Sequence, residues 1–254
     1  MAAIITHVSD VRTAFGAALL AASLERFGLP LVVYVQRGTL PTPALHAVDH
    51  GASPIVDAGP PADLADVLAL HRAGLYLDPH LVAVGDLGPT LAVLDARDGV
   101  YPWETERSWR ITLDGDSGWG RLAGATLSTR LTPRALGWSG AAARDFLRDW
   151  RAAWRDTDGD ARRGDAVLSA LGARSARLMR PGLLAPAMRH WSEIPERANV
   201  GPVLVEAQAW ADAPAALERA ASWGVRRATR YRLEALAALA SAGVEPVRAA
   251  VAAG

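Results

Sequence analysis

An α/β fold is predicted by three features of the sequence. It opens strand, helix, strand. Short apolar runs and segments of helical periodicity then alternate along the chain. The tail, from Asp212 onward, reads as helix throughout. Composition removes other classes. A chain of 254 residues buries about 70% of its unfolded surface, so no disulfide or structural metal is needed to hold it. Lys plus Arg number 27 and Asp plus Glu 27, which argues against an electrostatic nucleic-acid or membrane binder. There is no cysteine, which excludes zinc fingers, iron–sulfur centres and Cys nucleophiles. Apolar runs such as Leu29–Val35 fall far short of the roughly 18 residues of a membrane span. The first residues show neither a basic region nor a long apolar core, so no secretory signal is expected and the expected location is cytoplasmic.

Ala3-Ile4-Ile5-Thr6 is a β-branched run. Ser9 or Asp10 can cap the helix that follows, because their side-chain oxygens accept free N–H groups of the first turn. Phe15, Ala18, Leu19 and Ala22 recur at helical spacing, and Gly28 with Pro30 stops the helix. Leu31–Val35 is continuously apolar, as in a strand covered on both faces. A loop-rich stretch follows, with Ile55-Val56 as a short strand. Pro60-Pro61 opens a helix with Leu64, Val67, Leu68 and His71 on one face, His71 being a packed histidine, and Gly74 ends it. Leu75–Leu77 is a strand, Asp78-Pro79-His80 breaks it, and Leu81–Val84 resumes it. Ala92–Leu94 and Trp109–Leu113 are further strand candidates, and Asp114–Gly120 reads as loop. Ser139 can cap a helix carrying Ala143, Phe146, Leu147, Trp150 and Trp154 on one stripe. A helix near Asp165–Leu171 comes next. In the tail, Asp212 with Pro214 begins a helix that Gly224 ends, and Tyr231–Ala242 forms another.

The segment from Ala62 to Leu91 carries the chemistry. Ala65-Asp66-Val67-Leu68-Ala69 lies on a helix and Ala73-Gly74-Leu75-Tyr76-Leu77-Asp78-Pro79-His80 follows at fixed spacing. Here the chain resembles the DXD-motif sugar transferases of the glycosyltransferase A fold, above all the capsular-polysaccharide and mannosyl-transferase type. Their pattern is Ser-Asp-x-x-Arg, then Gly-Gly-[Ile/Val]-Tyr-Leu-Asp-x-Asp. Among its departures from that pattern, Ala69 replaces the motif arginine, Ala73 the first glycine and His80 the second aspartate. An imidazole still binds transition metals, and some families of the fold use Asp-x-His.

The resemblance implies a mixed sheet with flanking helices over residues 1–200, a nucleotide-sugar transferase-like domain, with residues 201–254 as a helical extension packed on it. It implies a metal-assisted glycosyltransferase that uses Mn or Mg, a nucleotide sugar and a small-molecule or glycan acceptor. It also implies the site. Thr6 and His7 end the first strand near the donor. Asp66, Arg72, Tyr76 and Asp78 bind the donor, Asp66 meeting its sugar. Asp78, His80 and His190 hold the metal. Asp165 is the catalytic or acceptor-positioning carboxylate. A divalent cation neutralises charge growing on a diphosphate leaving group, and arginines can clamp phosphate oxygens bidentately. With no lysine in the chain, fixed positive charge at a diphosphate must come from arginine or metal.

Each residue also has a plainer reading. Asp78-Pro79 can be only a turn that ends a strand. Asp165 can cap its helix, and His190 can be a surface or packing residue. His46 and His50 lie four apart without a third ligand nearby. Of nine tryptophans, Trp150 and Trp154 read as core, while Trp103, Trp109, Trp119, Trp138 and Trp191 sit among turn residues and could line an acceptor cleft or simply pack. Arg226, Arg227, Arg230 and Arg232 form a basic tail face, read as solvated or as a homo-oligomer contact, with no nucleic acid partner. The altered motif leaves two other functions open: a degenerate transferase fold kept as a binding or scaffold partner, and a repurposed enzyme working without metal.

Overall fold

Residues 3–36 fold as strand, helix and strand, as their apolar runs and capping residues predict. The computed structural model describes residues 2–48, 55–56, 67–106, 109–110, 126–127, 130–155, 161–175, 177–179, 204–206 and 213–242. Side chains are described over 2–48, 67–102, 134–154, 167–175, 177–179 and 213–242. In chain order the elements are β1 (Ala3–Val8), α1 (Val11–Glu25), β2 (Leu31–Gln36), α2 (Thr42–Val48), β3 (Ile55–Val56), β4 (Ala73–Leu77), β5 (Leu81–Ala83), α3 (Gly88–Ala96), β6 (Gly99–Glu106), β7 (Trp109–Arg110), β8 (Thr126–Leu127), β9 (Arg130–Ser139), α4 (Ala141–Arg155), α5 (Ala161–Arg174), β10 (Leu204–Glu206), α6 (Ala213–Ser222) and α7 (Arg227–Ala242).

They group into two units. The first holds Met1–Ile5, Ala58–Leu77 and Gly88–Ala185, the second Thr6–Asp57, Asp78–Leu87 and Pro186–Gly254. Strand β1 contributes residues to both.

In the first unit the strand order is β1-β4-β9-β6. The opening of β1 runs parallel to β4, with Ile5 opposite Tyr76, and β9 runs antiparallel to both β4 and β6. The sheet is therefore mixed. Helix α3 packs on β4 and β9, and α5 packs on β9 and α4. Ala143, Phe146, Leu147, Trp150 and Trp154 are all buried on α4, the stripe that its helical spacing predicts. The Trp150 and Trp154 rings lie 5.3 Å apart, centroid to centroid, so both are core residues.

In the second unit the order is β3-β2-β1, with β2 parallel to β3, while β5 pairs antiparallel with β10. Its core gathers Val8, Phe15, Leu19, Val33, Val35 and Val82 with Leu233 and Leu236 of α7. Helix α1 is the element on which the rest is built: β5, α2, α6 and α7 all pack on it. Asp10 caps it. The Asp10 carboxylate accepts the Thr13 N–H at 2.7 Å, and the Thr13 hydroxyl oxygen accepts the Asp10 N–H at 2.9 Å. Two of the donors left open at the helix start are thus satisfied reciprocally. The helix closes with a bond from the Leu29 N–H to the Leu24 carbonyl at 3.2 Å, the pattern of a Schellman end.

The far end of α1 holds α7 through Glu25, which accepts hydrogen bonds from Arg226 and from the Thr229 hydroxyl, the latter at 2.9 Å. Burial pushes the Glu25 carboxyl up, but these donors outweigh it and hold it below the usual glutamate value. A group with a depressed folded-state pKa stabilises the fold above its unfolded value and loses that contribution as pH falls through the folded one. Glu25→Gln should therefore melt below wild type at neutral pH. The two melting curves should converge as pH drops below the ordinary glutamate range. A melting-temperature difference that does not change with pH would show that Glu25 acts through packing alone.

Four expectations are corrected. Ala92–Leu94 is not a strand but lies in α3, since Gly88-Pro89 starts a helix and Pro89 at the first turn loses no bond. Gly74 does not end a helix; it lies inside β4, where Trp138 fills the space a side chain would take. The stretch after Gln36 is not all loop, because Thr42–Val48 forms α2. Ser139 is the buried last residue of β9, one position before Gly140, so it is not the residue next to α4. The openings at Pro60-Pro61 and Leu64, the loop at Asp114–Gly120, His50, Trp119, Trp191 and Asp212 lie outside the described residues.

Candidate functional site

Strand β4 is buried along most of its length, and the chain leaves it at Asp78. Proline at position 79 has its φ set by the ring and no N–H to offer a ladder, which favours a turn at this point. The turn is closed by the Leu81 N–H donating to the Asp78 carbonyl at 2.9 Å. The Asp78 side chain braces it from within: its Oδ1 accepts the His80 N–H at 2.8 Å. This is the local carboxylate-to-backbone bond that makes aspartate favourable at the start of a turn.

The turn thus brings together Asp78 and His80, two of the three residues assigned to a metal. Asp78 and His80 are both half-buried. The His80 Nδ1 is buried and has no hydrogen-bond partner. It lies 3.5 Å from the point where a side chain on Gly16 would begin. Helix α1 therefore presents a bare glycine to the turn, and the imidazole lies against it.

In the same unit, Thr6 is fully buried on β1 and His7 is half-buried beside it. Since β1 and β4 run parallel, Thr6–His7 lie in the carboxyl-terminal half of β1 and Asp78–His80 just past the carboxyl end of β4. Ligands of open α/β sheets bind outside those ends. In the first unit, Tyr76 is buried within β4 opposite Ile5. Arg72 is exposed, and its carbonyl accepts the Gly140 N–H at 3.1 Å. His71 is half-buried, and burial pushes its imidazole below the ordinary value, in keeping with a packed histidine. Asp66 and His190 lie outside the described residues. Asp165 sits on α5, and its side chain is likewise not described.

A carboxylate and an imidazole in one turn are chemically suited to a divalent cation. A carboxylate with one oxygen receiving an N–H keeps further lone pairs. An imidazole in the set favours a transition metal such as manganese over magnesium, which prefers oxygen alone. Among the described residues no group of three or more His, Cys, Asp or Glu stands together as a metal cluster.

Two contacts on α1 escape a reading of sequence. Gly16 faces the turn, and the Ser23 hydroxyl accepts the Ala83 N–H at 3.0 Å while donating to the Leu20 carbonyl at 2.7 Å. Both interrupt the apolar stripe of α1 with a small residue, which is the signal that could have marked them.

No family model matches this chain, and no curated protein matches it. Solved structures do. An apo structure of WbbM, a bifunctional glycosyltransferase, is 10% identical, with a TM-score of 0.52 over 82% of this chain. This chain spans about half the length of that one, 47%. An active-site mutant of LgtC is 15% identical, with a TM-score of 0.52 over 90% of this chain and 99% of that one. LgtC is a galactosyltransferase. At these identities the likeness speaks for architecture: this chain has the α/β fold of solved glycosyltransferases.

Proposed function

We propose that this protein transfers a sugar from a nucleotide-diphosphate sugar to an acceptor, with the Asp78–His80 turn at the donor's diphosphate. The observation that carries the reading is the turn itself: a carboxylate and an imidazole held two residues apart at the end of β4, in a chain with a glycosyltransferase fold. In this reading Asp78 and His80 contribute ligands to a divalent cation, manganese by preference. The cation would neutralise the charge that grows on the departing diphosphate. The internal bond to the His80 N–H keeps the carboxylate from rotating away, so little ordering is left to be done when donor binds. Thr6 and His7 would line the donor side. By the resemblance, Asp66 would meet the donor sugar, His190 would complete the metal ligands and Asp165 would be the catalytic or acceptor-positioning carboxylate.

Isothermal titration with UDP-sugars and other nucleotide sugars, with and without Mn2+, tests this. The expected result is binding that depends on Mn2+. The absence of heat with every donor under both conditions would overturn it.

A further inference from the structure

The Asp78–His80 turn does not hold itself in place; helix α1 holds it, at two points on one face. The first is Gly16. A Cβ there would stand 2.3 Å from the Pro79 carbonyl oxygen and 3.0 Å from its carbon. These are backbone atoms, which cannot swing aside as the end of a side chain can. The second is Ser23, whose buried hydroxyl accepts the Ala83 N–H at 3.0 Å. Seven residues separate Gly16 from Ser23. At about 100° per residue they fall some 20° short of two full turns, so they share a face about 10 Å apart along the axis. One grips the turn, the other the strand that leaves it.

From this geometry we infer that Gly16 is a positioning residue for the proposed diphosphate site, with Ser23 as its second anchor. Gly16 lets the Pro79–His80 peptide sit directly on the helix, and this sets the direction of the His80 ring, whose Nδ1 lies against the same spot. The absence of a Cβ also carries a cost, since a helix-interior glycine is about 1 kcal/mol less favourable than alanine. A residue kept for helix stability alone would not be glycine here. The inference rests on the proposed transfer reaction for its purpose, but not for its test.

The test compares Gly16→Ala with Ala17→Gly, a change at the adjacent buried position of the same helix turn. Ring 15N signals of His80 are identified by their absence in His80→Gln and recorded at one fixed pH. Mn2+ affinity is measured from the free-ion electron paramagnetic resonance signal. Gly16→Ala should move the His80 signals and weaken Mn2+ about tenfold, equal to about 1.4 kcal/mol. Ala17→Gly should lower the melting temperature and leave both readouts at wild-type values.

If Gly16→Ala fails to fold, Ser23→Ala reports on the second anchor and should move the same His80 signals. His80 signals that coincide with wild type in every folded variant of the pair would overturn the inference. So would equal displacement by Ala17→Gly. A wild type that binds no nucleotide sugar, together with His80 signals that move in Gly16→Ala, would sink the transfer reading and leave the cradle standing.

Discussion

Trp138→Ala should be among the most destabilising single substitutions in the first unit. Trp138 is fully buried, stands directly opposite Gly74 across β9 and β4, and donates its indole N–H to the His71 carbonyl at 3.1 Å. Its ring lies over Gly74: a Cβ on that glycine would be 2.6 Å from two of the ring carbons. Truncation would empty a ring-sized space and leave the His71 carbonyl without this donor. Removing a buried tryptophan costs about 3–5 kcal/mol.

Gly74→Ala attacks the same contact from the other side. Overpacking of this kind costs about 1–3 kcal/mol. The two residues are coupled, so the pair Gly74→Ala with Trp138→Leu should lose less than the sum of the singles. Urea midpoints for the four proteins of the cycle measure that coupling, expected in the range of about 0.5–3 kcal/mol for touching residues. Strict additivity would mean that Trp138 packs on something other than Gly74.

This contact also shows why the sequence is legible in some places and silent in others. The first βαβ unit announces itself because Leu31–Val35 is an unbroken apolar run and Asp10 is a strong cap. Those signals are local. The β9 strand gives none, because Pro133 and Gly137 interrupt it and both neighbours, β4 and β6, come from distant parts of the chain. Gly74 reads as a helix end for the same reason. In isolation a glycine after a helical stretch is punctuation, and only Trp138, some sixty residues on, makes it a packing residue.

The α3 helix is short, so three of its apolar residues mimic a strand until Gly88-Pro89 is given its weight. At the candidate site, the order of Asp78, Pro79 and His80 is enough to foresee the turn. What seats it has only a faint signal, a small residue in the apolar stripe of α1: Gly16 lies sixty-three positions before Pro79 and matters for what it lacks.

Asp78→Asn should keep the fold and lose the reaction. Asparagine is the same shape, and its side-chain oxygen can still accept the His80 N–H that Asp78 Oδ1 accepts now, so the turn survives. What disappears is the negative charge. In the proposed site that charge holds a divalent cation against a diphosphate, an effect worth several kcal/mol in the transition state. Each 1.4 kcal/mol is tenfold in rate, so kcat/KM for sugar transfer should fall by about a hundredfold or more while the melting temperature changes little. Asp78→Ala removes both the charge and the brace. It should lose the same activity and, in addition, some stability, because the His80 N–H is left without its acceptor. The pair separates chemistry from architecture. A protein kept only as a binding scaffold would retain its partner through Asp78→Asn and be weakened by Asp78→Ala in proportion to lost stability. A metal-free enzyme in the same cleft would keep full turnover after the cation is stripped. If Asp78→Asn transfers sugar at the wild-type rate, Asp78 is the start of a turn and nothing more, and the diphosphate must be met by other residues.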